Sequence, residues 1–99
     1  MKLPKEFTIA NNKYTIDFTD TVKDVTGNDL FGDHSAVTNK IRIAKTVDKV
    51  ELNEEQIKNT FWHELFHAFQ YFFCNRYDEA EAQCFANFMR EYESSVKYD

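Results

Sequence analysis

The apolar residues of this chain alternate with polar ones in its first half and recur at helical spacing in its second half. Alternation is clearest in segments 7–10, 14–18 and 40–45. A period of two predicts half-buried strands. The first two segments are separated by Asn11-Asn12-Lys13, which favours a tight turn because asparagine tolerates left-handed backbone. The sequence therefore predicts an opening hairpin and a later strand.

Three further segments of the first half carry weaker patterns. Residues 30–37 predict a third strand, with a possible bulge at Gly32. Residues 19–28 are predicted as a loop or a short helix. Residues 46–52 are predicted as a connection whose apolar residues, including Val50, pack inward.

Two helices are predicted in the second half. Asn53 and Gln56 form a capping-box pattern at the start of the first, and Asn75 is a plausible end. Asp78 is a predicted N-cap for the second. The first helix has two apolar faces, so we expect it to be a buried central helix. These faces comprise Ile57, Phe61, Leu65, Ala68 and Phe72 on one side and Trp62, Phe66, Phe69 and Phe73 on the other.

The expected fold class is α+β, in a single domain spanning residues 1–99. A small antiparallel or mixed sheet of three to four strands would pack on two long C-terminal helices. Ten phenylalanines and five tyrosines supply apolar area to a short chain of 99 residues.

Composition and charge exclude several classes of function. A formal net charge of −5 disfavours binding to a nucleic-acid backbone. No apolar run approaches membrane-spanning length, and residues 1–6 lack the apolar core of a signal peptide. We therefore expect a cytoplasmic protein without a nucleic-acid or membrane partner. Cys74 and Cys84 are expected to be reduced thiols, and nothing indicates an oligomeric state.

One motif within the first helix carries specific chemistry. His63-Glu64-Leu65-Phe66-His67 places two imidazoles four residues apart, on one helix face. Such a pair can bind one Zn²⁺ ion, and Glu64 can act as general base on a water activated by the metal. The alternative is that both are ordinary core or surface histidines.

A third metal ligand is expected from the start of the second helix. Glu79 and Glu81 are the candidates. Acidic residues there also stabilise a helix dipole, and Glu81 has a further local role in a capping box with Asp78. Glu79 is therefore preferred and Glu81 is kept in reserve. In a tight antiparallel helical hairpin, the residue of the second helix that lies level with His67 would come later in the sequence than Glu79. For Glu79 to reach His67, either the helices must splay or the first must end early.

The motif and the segments around it resemble the small zincin-like metallopeptidases of the ImmA/IrrE type, especially their short phage and prophage relatives. The resemblance covers roughly residues 30 to 90. It rests on His63-Glu64-x-x-His67 followed by Glu79-x-x-Ala82-x-x-Phe85-Ala86, and on strands like 30–32 and 40–43 before the motif helix.

This resemblance implies a minimal zincin-like fold with zinc bound by His63, His67 and Glu79, and with Glu64 as general base. It also implies that strand 40–45 is an edge strand that pairs with an extended substrate, although its two isoleucines are expected in the core. The implied activity is zinc-dependent cleavage of a protein or peptide. The alternatives are a zinc-stabilised phage or bacterial interaction module without turnover, and a metal-free α+β interaction domain.

Other side chains have weaker claims on function. His34 is either an oxyanion donor or, as we prefer, a strand histidine without chemistry. Gln70, one turn after His67, is a candidate to orient that ligand. Trp62 and the phenylalanines beside it are expected to pack in the core rather than line a specificity pocket.

Overall fold

The computed structural model describes residues 2–99 and has an α+β fold, as the sequence predicts. Met1, the first residue of the amino-terminal segment 1–6, lies outside the described residues. The strands are β1 (Glu6–Ile9), β2 (Asn12–Thr19), β3 (Val22–Lys23), β4 (Asp29–Leu30), β5 (Gly32–Ser35), β6 (Lys40–Ala44), β7 (Thr46–Val47) and β8 (Val50–Glu51). The helices are α1 (Glu54–Phe69) and α2 (Glu79–Ser95), with a π-helical turn at Gln70–Cys74 between them.

The main sheet is mixed and has the strand order β1-β2-β6-β5. The predicted hairpin is confirmed as β1 and β2. Its turn lies at Ala10 and Asn11, with positive φ angles of 48° and 64°, and so begins one residue before the predicted Asn11-Asn12-Lys13. Strand β6 is parallel to β2 and antiparallel to β5. The expectation that segment 40–45 is an edge strand is therefore wrong. The edge on that side is β5.

The weaker predictions for the first half need correction. Segment 30–37 is not one strand, because Phe31 separates β4 from β5. Segment 19–28 contains β3, which pairs with β4 through Val22 and Leu30. Segment 46–52 contains the β7/β8 hairpin, and Val50 is exposed rather than packed inward. Each error concerns pairing between two-residue strands, which have too few positions to show a period.

Helix α1 packs one face against the main sheet. Asn53 and Gln56 form the predicted capping box. The core joins the sheet to this face of the helix and contains Tyr14, Ile41, Ile43, Ile57, Phe61 and Ala68. Gly32 places β5 close to the helix, because a Cβ atom there would lie 2.6 Å from both the Arg42 carbonyl oxygen and Thr60 Cγ2.

The other apolar face of α1 and its extension is only partly covered. Phe69 is 42 % exposed and Phe73 is 61 % exposed, so the expectation of a helix buried on both faces is wrong. Helix α2 covers Phe66 with Phe85, whose rings stack at 4.7 Å, but does not extend over the end of the apolar face. Within residues 2–99, neither helix is long and apolar enough to cross a membrane.

The connection between the helices determines which residue of α2 lies beside α1. The α-helical hydrogen bonding of α1 ends at Phe69, and the π-helical turn ends at Asn75, which has a left-handed backbone. Asp78 then caps α2 by accepting a hydrogen bond from Glu81 N. Helical backbone thus continues to Cys74 and ends at the predicted Asn75, so the first helix does not end early, and α2 begins at Glu79.

Candidate metal centre

Three potential metal ligands meet where α1 and α2 face each other. The Nε2 atoms of His63 and His67 lie 3.1 Å apart. Glu79, the first residue of α2, places Oε2 2.8 Å from His67 Nε2 and Oε1 3.4 Å from His63 Nε2. The structure therefore brings together the three residues that the sequence nominated as ligands.

The two imidazoles are held by glutamines in the same tautomer. His67 Nδ1 lies 2.9 Å from Gln70 Oε1, and His63 Nδ1 lies 3.1 Å from Gln83 Oε1. The amide nitrogens of both glutamines donate elsewhere, which fixes their oxygens as the atoms facing the rings. An amide oxygen only accepts, so each neutral imidazole carries its hydrogen on Nδ1 and presents a lone pair at Nε2.

Two lone pairs and a carboxylate consequently converge on one point. Without a cation they repel each other, whereas tetrahedral zinc with bonds of about 2.0–2.1 Å separates its ligand atoms by about 3.3 Å. The observed separations of 2.8 to 3.4 Å are close to that value. The donor set therefore fits a zinc ion.

Glu64 lies beside these residues but does not join them. Glu64 is 8 % exposed, and its carboxyl group has no hydrogen-bond partner among residues 2–99. Burial, together with the negative charges of Glu79 and Asp33, raises the pKa of Glu64 to about 8. Glu64 is therefore a carboxyl group with a high proton affinity and free oxygens.

Glu81, the reserve candidate for the third ligand, is engaged elsewhere. Its carboxylate accepts hydrogen bonds from Arg76 and from Gln70 Nε2. Half of the predicted capping box with Asp78 forms. The Asp78 side chain accepts a hydrogen bond from the Glu81 amide, but the Asp78 amide donates to Gln70 Oε1 instead of to Glu81. Gln70, which is fully buried, thus connects His67 to the start of α2.

An open groove borders the cluster on the His63 side. Its volume is about 460 Å³, and its walls come from the β4–β5 segment, α1 and α2. Thr60, His63 and Glu64 line it from α1, and Gly32 lines it from the edge strand. The groove gives the free carboxyl of Glu64 access to molecules from outside.

Two residues beside the ligands were not identified from the sequence. Gln83 continues a polar stripe on α2 that runs Glu79, Gln83, Asn87 and faces a matching stripe Asn59, His63, His67 on α1. Both stripes have a spacing of four, and this signal was available. Tyr77 stacks on His67 with ring centroids 4.0 Å apart and planes at 6°, and no sequence pattern indicates it.

Tyr77 also contacts His34, which the sequence left without chemistry. His34 Nδ1 lies 3.0 Å from Tyr77 Oη, and His34 Nε2 lies 2.7 Å from Tyr14 Oη. Burial lowers the pKa of His34 to about 4, with a smaller contribution from His67. Burial and the charges of Glu64 and Glu79 raise the pKa of Tyr77. At neutral pH all three side chains of this chain of hydrogen bonds are uncharged.

Comparison of the chain with family models, with curated proteins and with solved structures gives no match.

Proposed function

We propose that this protein is a zinc-dependent peptidase in which His63, His67 and Glu79 hold the metal and Glu64 is the general base. The observation that carries the proposal is the convergence of two imidazole lone pairs and one carboxylate beside a free, buried carboxyl group. A purely structural metal site has no need of such a carboxyl group at its open side. The resemblance of residues 30–90 to small zincin-like metallopeptidases supports the same assignment.

The residues of the chain divide the chemistry among them. Zinc, when bound, supplies Lewis-acid activation of a water and of the scissile carbonyl. Glu64 accepts the proton of the attacking water and then donates it to the leaving amine. The high proton affinity of Glu64 in its buried position suits both transfers. Gln70 and Gln83 keep the imidazole Nε2 atoms unprotonated for the metal.

The groove offers a place for an extended peptide beside β5. The Ala44 amide donates to the Phe31 carbonyl, so in the antiparallel ladder the backbone groups of Gly32 and His34 face away from β6. No strand of the main sheet pairs with β5 on that side. We propose that a substrate main chain pairs there and reaches Glu64 and the metal through the groove.

Replacement of Glu64 tests the proposal. The zinc-loaded Glu64→Gln variant should bind zinc as the wild type does, because Glu64 is not among the ligands. It should cleave a broad panel of peptides and unfolded proteins about 10²–10⁴-fold more slowly, as expected for loss of a general base. Zinc content by mass spectrometry and cleavage by chromatography give the two measurements.

Glu55→Gln is a matched control, since Glu55 lies on the same helix in an exposed ion pair with Arg90. Cleavage at the wild-type rate by Glu64→Gln would contradict the enzyme assignment. So would the absence of cleavage by zinc-loaded wild type across the panel.

A zinc-stabilised interaction module without turnover is the second candidate. The observation favouring it is the apolar area left open on the helices, where Phe69, Phe73, Phe88 and Tyr92 are 42 %, 61 %, 60 % and 43 % exposed. This candidate predicts zinc binding with no difference in cleavage between wild type and Glu64→Gln.

A further inference from the structure

His34 connects the core of the sheet to the candidate metal centre through two tyrosine hydroxyl groups. On one side its Nε2 atom is 2.7 Å from Tyr14 Oη, and on the other its Nδ1 atom is 3.0 Å from Tyr77 Oη. A neutral imidazole has one donor and one acceptor nitrogen. The direction of the two hydrogen bonds is therefore coupled: whichever tyrosine donates to His34 obliges the other to accept from it.

Tyr14 determines that direction because it is the buried end. It is fully buried, and its hydroxyl group has His34 Nε2 as its one hydrogen-bond partner within residues 2–99. If Nε2 carried the hydrogen, the Tyr14 hydroxyl hydrogen would have no acceptor, and leaving a buried donor unpaired lowers stability. Tyr14 must therefore donate to Nε2.

The hydrogen of His34 then lies on Nδ1 and is donated to Tyr77 Oη. Tyr77 is the exposed end, 52 % accessible, so its own hydroxyl hydrogen is free for another acceptor. A hydroxyl group that accepts one hydrogen bond is also a better donor in the next, since hydrogen bonds in a chain polarise one another.

Tyr77 is placed where such a donor is useful. Its ring lies parallel to that of His67, with centroids 4.0 Å apart, and the Nε2 atom of His67 faces Glu79 at 2.8 Å. An oxygen atom that acquires negative charge during peptide cleavage is stabilised by donors prearranged around it.

We propose that Tyr14 and His34 fix the hydroxyl group of Tyr77 as a hydrogen-bond donor to a ligand oxygen at the metal centre. The inference rests on the proposed function for its ligand, but the tautomer of His34 can be measured without it. In this scheme Tyr77 touches the ligand, whereas Tyr14 and His34 are positioning residues that act through it.

The tautomer of His34 is the first test. The chain has three histidines, so their ring nitrogens can be assigned by ¹⁵N NMR in the metal-free and zinc-loaded protein. We expect His34 in the Nδ1–H form in the wild type. In Tyr14→Phe the Nε2 atom has no partner in either tautomer, so the preference for Nδ1–H should weaken and the Nε2–H fraction should rise above that of the wild type. An Nε2–H wild type, or the same tautomer populations in wild type and Tyr14→Phe, would overturn the inference.

The affinity of the zinc-loaded protein for acetohydroxamate is the second test. Tyr77→Phe should weaken binding about tenfold, the effect of one hydrogen bond. Tyr14→Phe should weaken it by a smaller factor, because the Tyr77 hydrogen is diverted to His34 only in the Nε2–H fraction. Tyr71→Phe is the matched control, since the Tyr71 ring neighbours that of His34, with centroids 6.4 Å apart, and makes no hydrogen bond to it.

The two tests separate failure of the inference from failure of the proposed function. Equal affinities of wild type and Tyr77→Phe overturn the donor role and leave the peptidase proposal intact. A wild type that binds neither zinc nor acetohydroxamate overturns both. Zinc binding together with an Nε2–H His34 overturns the inference alone.

Discussion

The two histidines of the candidate metal centre have the same tautomer but lie in different surroundings. The His67 side chain is 1 % exposed and is enclosed by buried Gln70 and by the ring of Tyr77. The His63 side chain is 16 % exposed and borders the groove, with exposed Gln83 as its partner. We call the surroundings of His67 the closed side, which holds the ligand geometry. We call the surroundings of His63 the open side, which gives access from the groove.

The largest expected difference between the two sides concerns their glutamines. Gln70→Ala leaves the buried His67 Nδ1–H and the Asp78 amide without acceptors, so we expect a loss of about 3 kcal/mol in the free energy of unfolding. Zinc affinity should fall about 10- to 100-fold. Gln83→Ala should cost less than about 1 kcal/mol, because water can replace an exposed partner.

Urea unfolding and zinc titration of the two variants measure this difference. Equal losses of stability and zinc affinity in Gln70→Ala and Gln83→Ala would contradict the expected difference between the closed side and the open side.

Gly32 in β5 forms part of the wall of the groove on the open side. In Gly32→Ala the new Cβ atom meets the Arg42 carbonyl oxygen and Thr60 Cγ2 at 2.6 Å, so β5 must move away from α1. We expect a loss of about 2–3 kcal/mol and slower peptide cleavage. Gly27→Ala is the control: its Cβ has open space, and its φ of +88° costs about 1 kcal/mol. A smaller loss for Gly32→Ala than for Gly27→Ala in urea unfolding would contradict this account of the wall.

His34, which is hydrogen-bonded to Tyr77 on the closed side, should also give a pH dependence. His34 has a folded pKa of about 4, below its unfolded value of about 6.5. The unfolded chain therefore binds the extra proton between these values, and stability falls as pH decreases from 6.5 to 4. Compared with His34→Gln, metal-free wild type should lose on the order of 2 kcal/mol more in this window. Parallel stability curves for the two proteins would show that His34 is not held neutral.

The two sides also differ in how far the sequence predicts them. The sequence predicts the positions of His63, Glu64 and His67 because the two histidines are four residues apart on one helix. That helix begins at a capping box formed by Asn53 and Gln56, so residues close in sequence determine it. Glu79 was preferred because it lacked a local role. Its position beside the histidines depends on the π-helical turn, which no pattern in residues 70–74 indicates.

The remaining features depend on contacts between distant residues. The pairing of His34 with Tyr14 and Tyr77 joins residues 20 and 43 positions apart. Strand β6 was predicted at the edge of the sheet. It is a central strand because it pairs in parallel with β2, which leaves β5 at the edge. Alternation identifies a strand, but it does not specify its neighbours.

The exposed aromatic face was predicted wrongly for a related reason. The spacing of Phe69 and Phe73 correctly places them on one face of the extended helix. Whether that face is covered depends on where α2 begins and which way it runs. It begins at Glu79 beside His67 and runs back along α1 to the Arg90–Glu55 pair. The sequence pattern identifies which residues share a helix face, and tertiary packing determines whether that face is buried.

Replacing each of the two carboxylates at the start of α2 in turn shows whether Glu79 is the third metal ligand. Glu79 faces both imidazoles, whereas Glu81 is paired with Arg76, and the two side chains are chemically identical. Wild type and Glu81→Gln should each bind one zinc ion per chain in a competitive titration, and Glu79→Gln should bind it at least about 100-fold more weakly. Equal zinc affinities in Glu79→Gln and Glu81→Gln, or no zinc bound by wild type, would contradict the account.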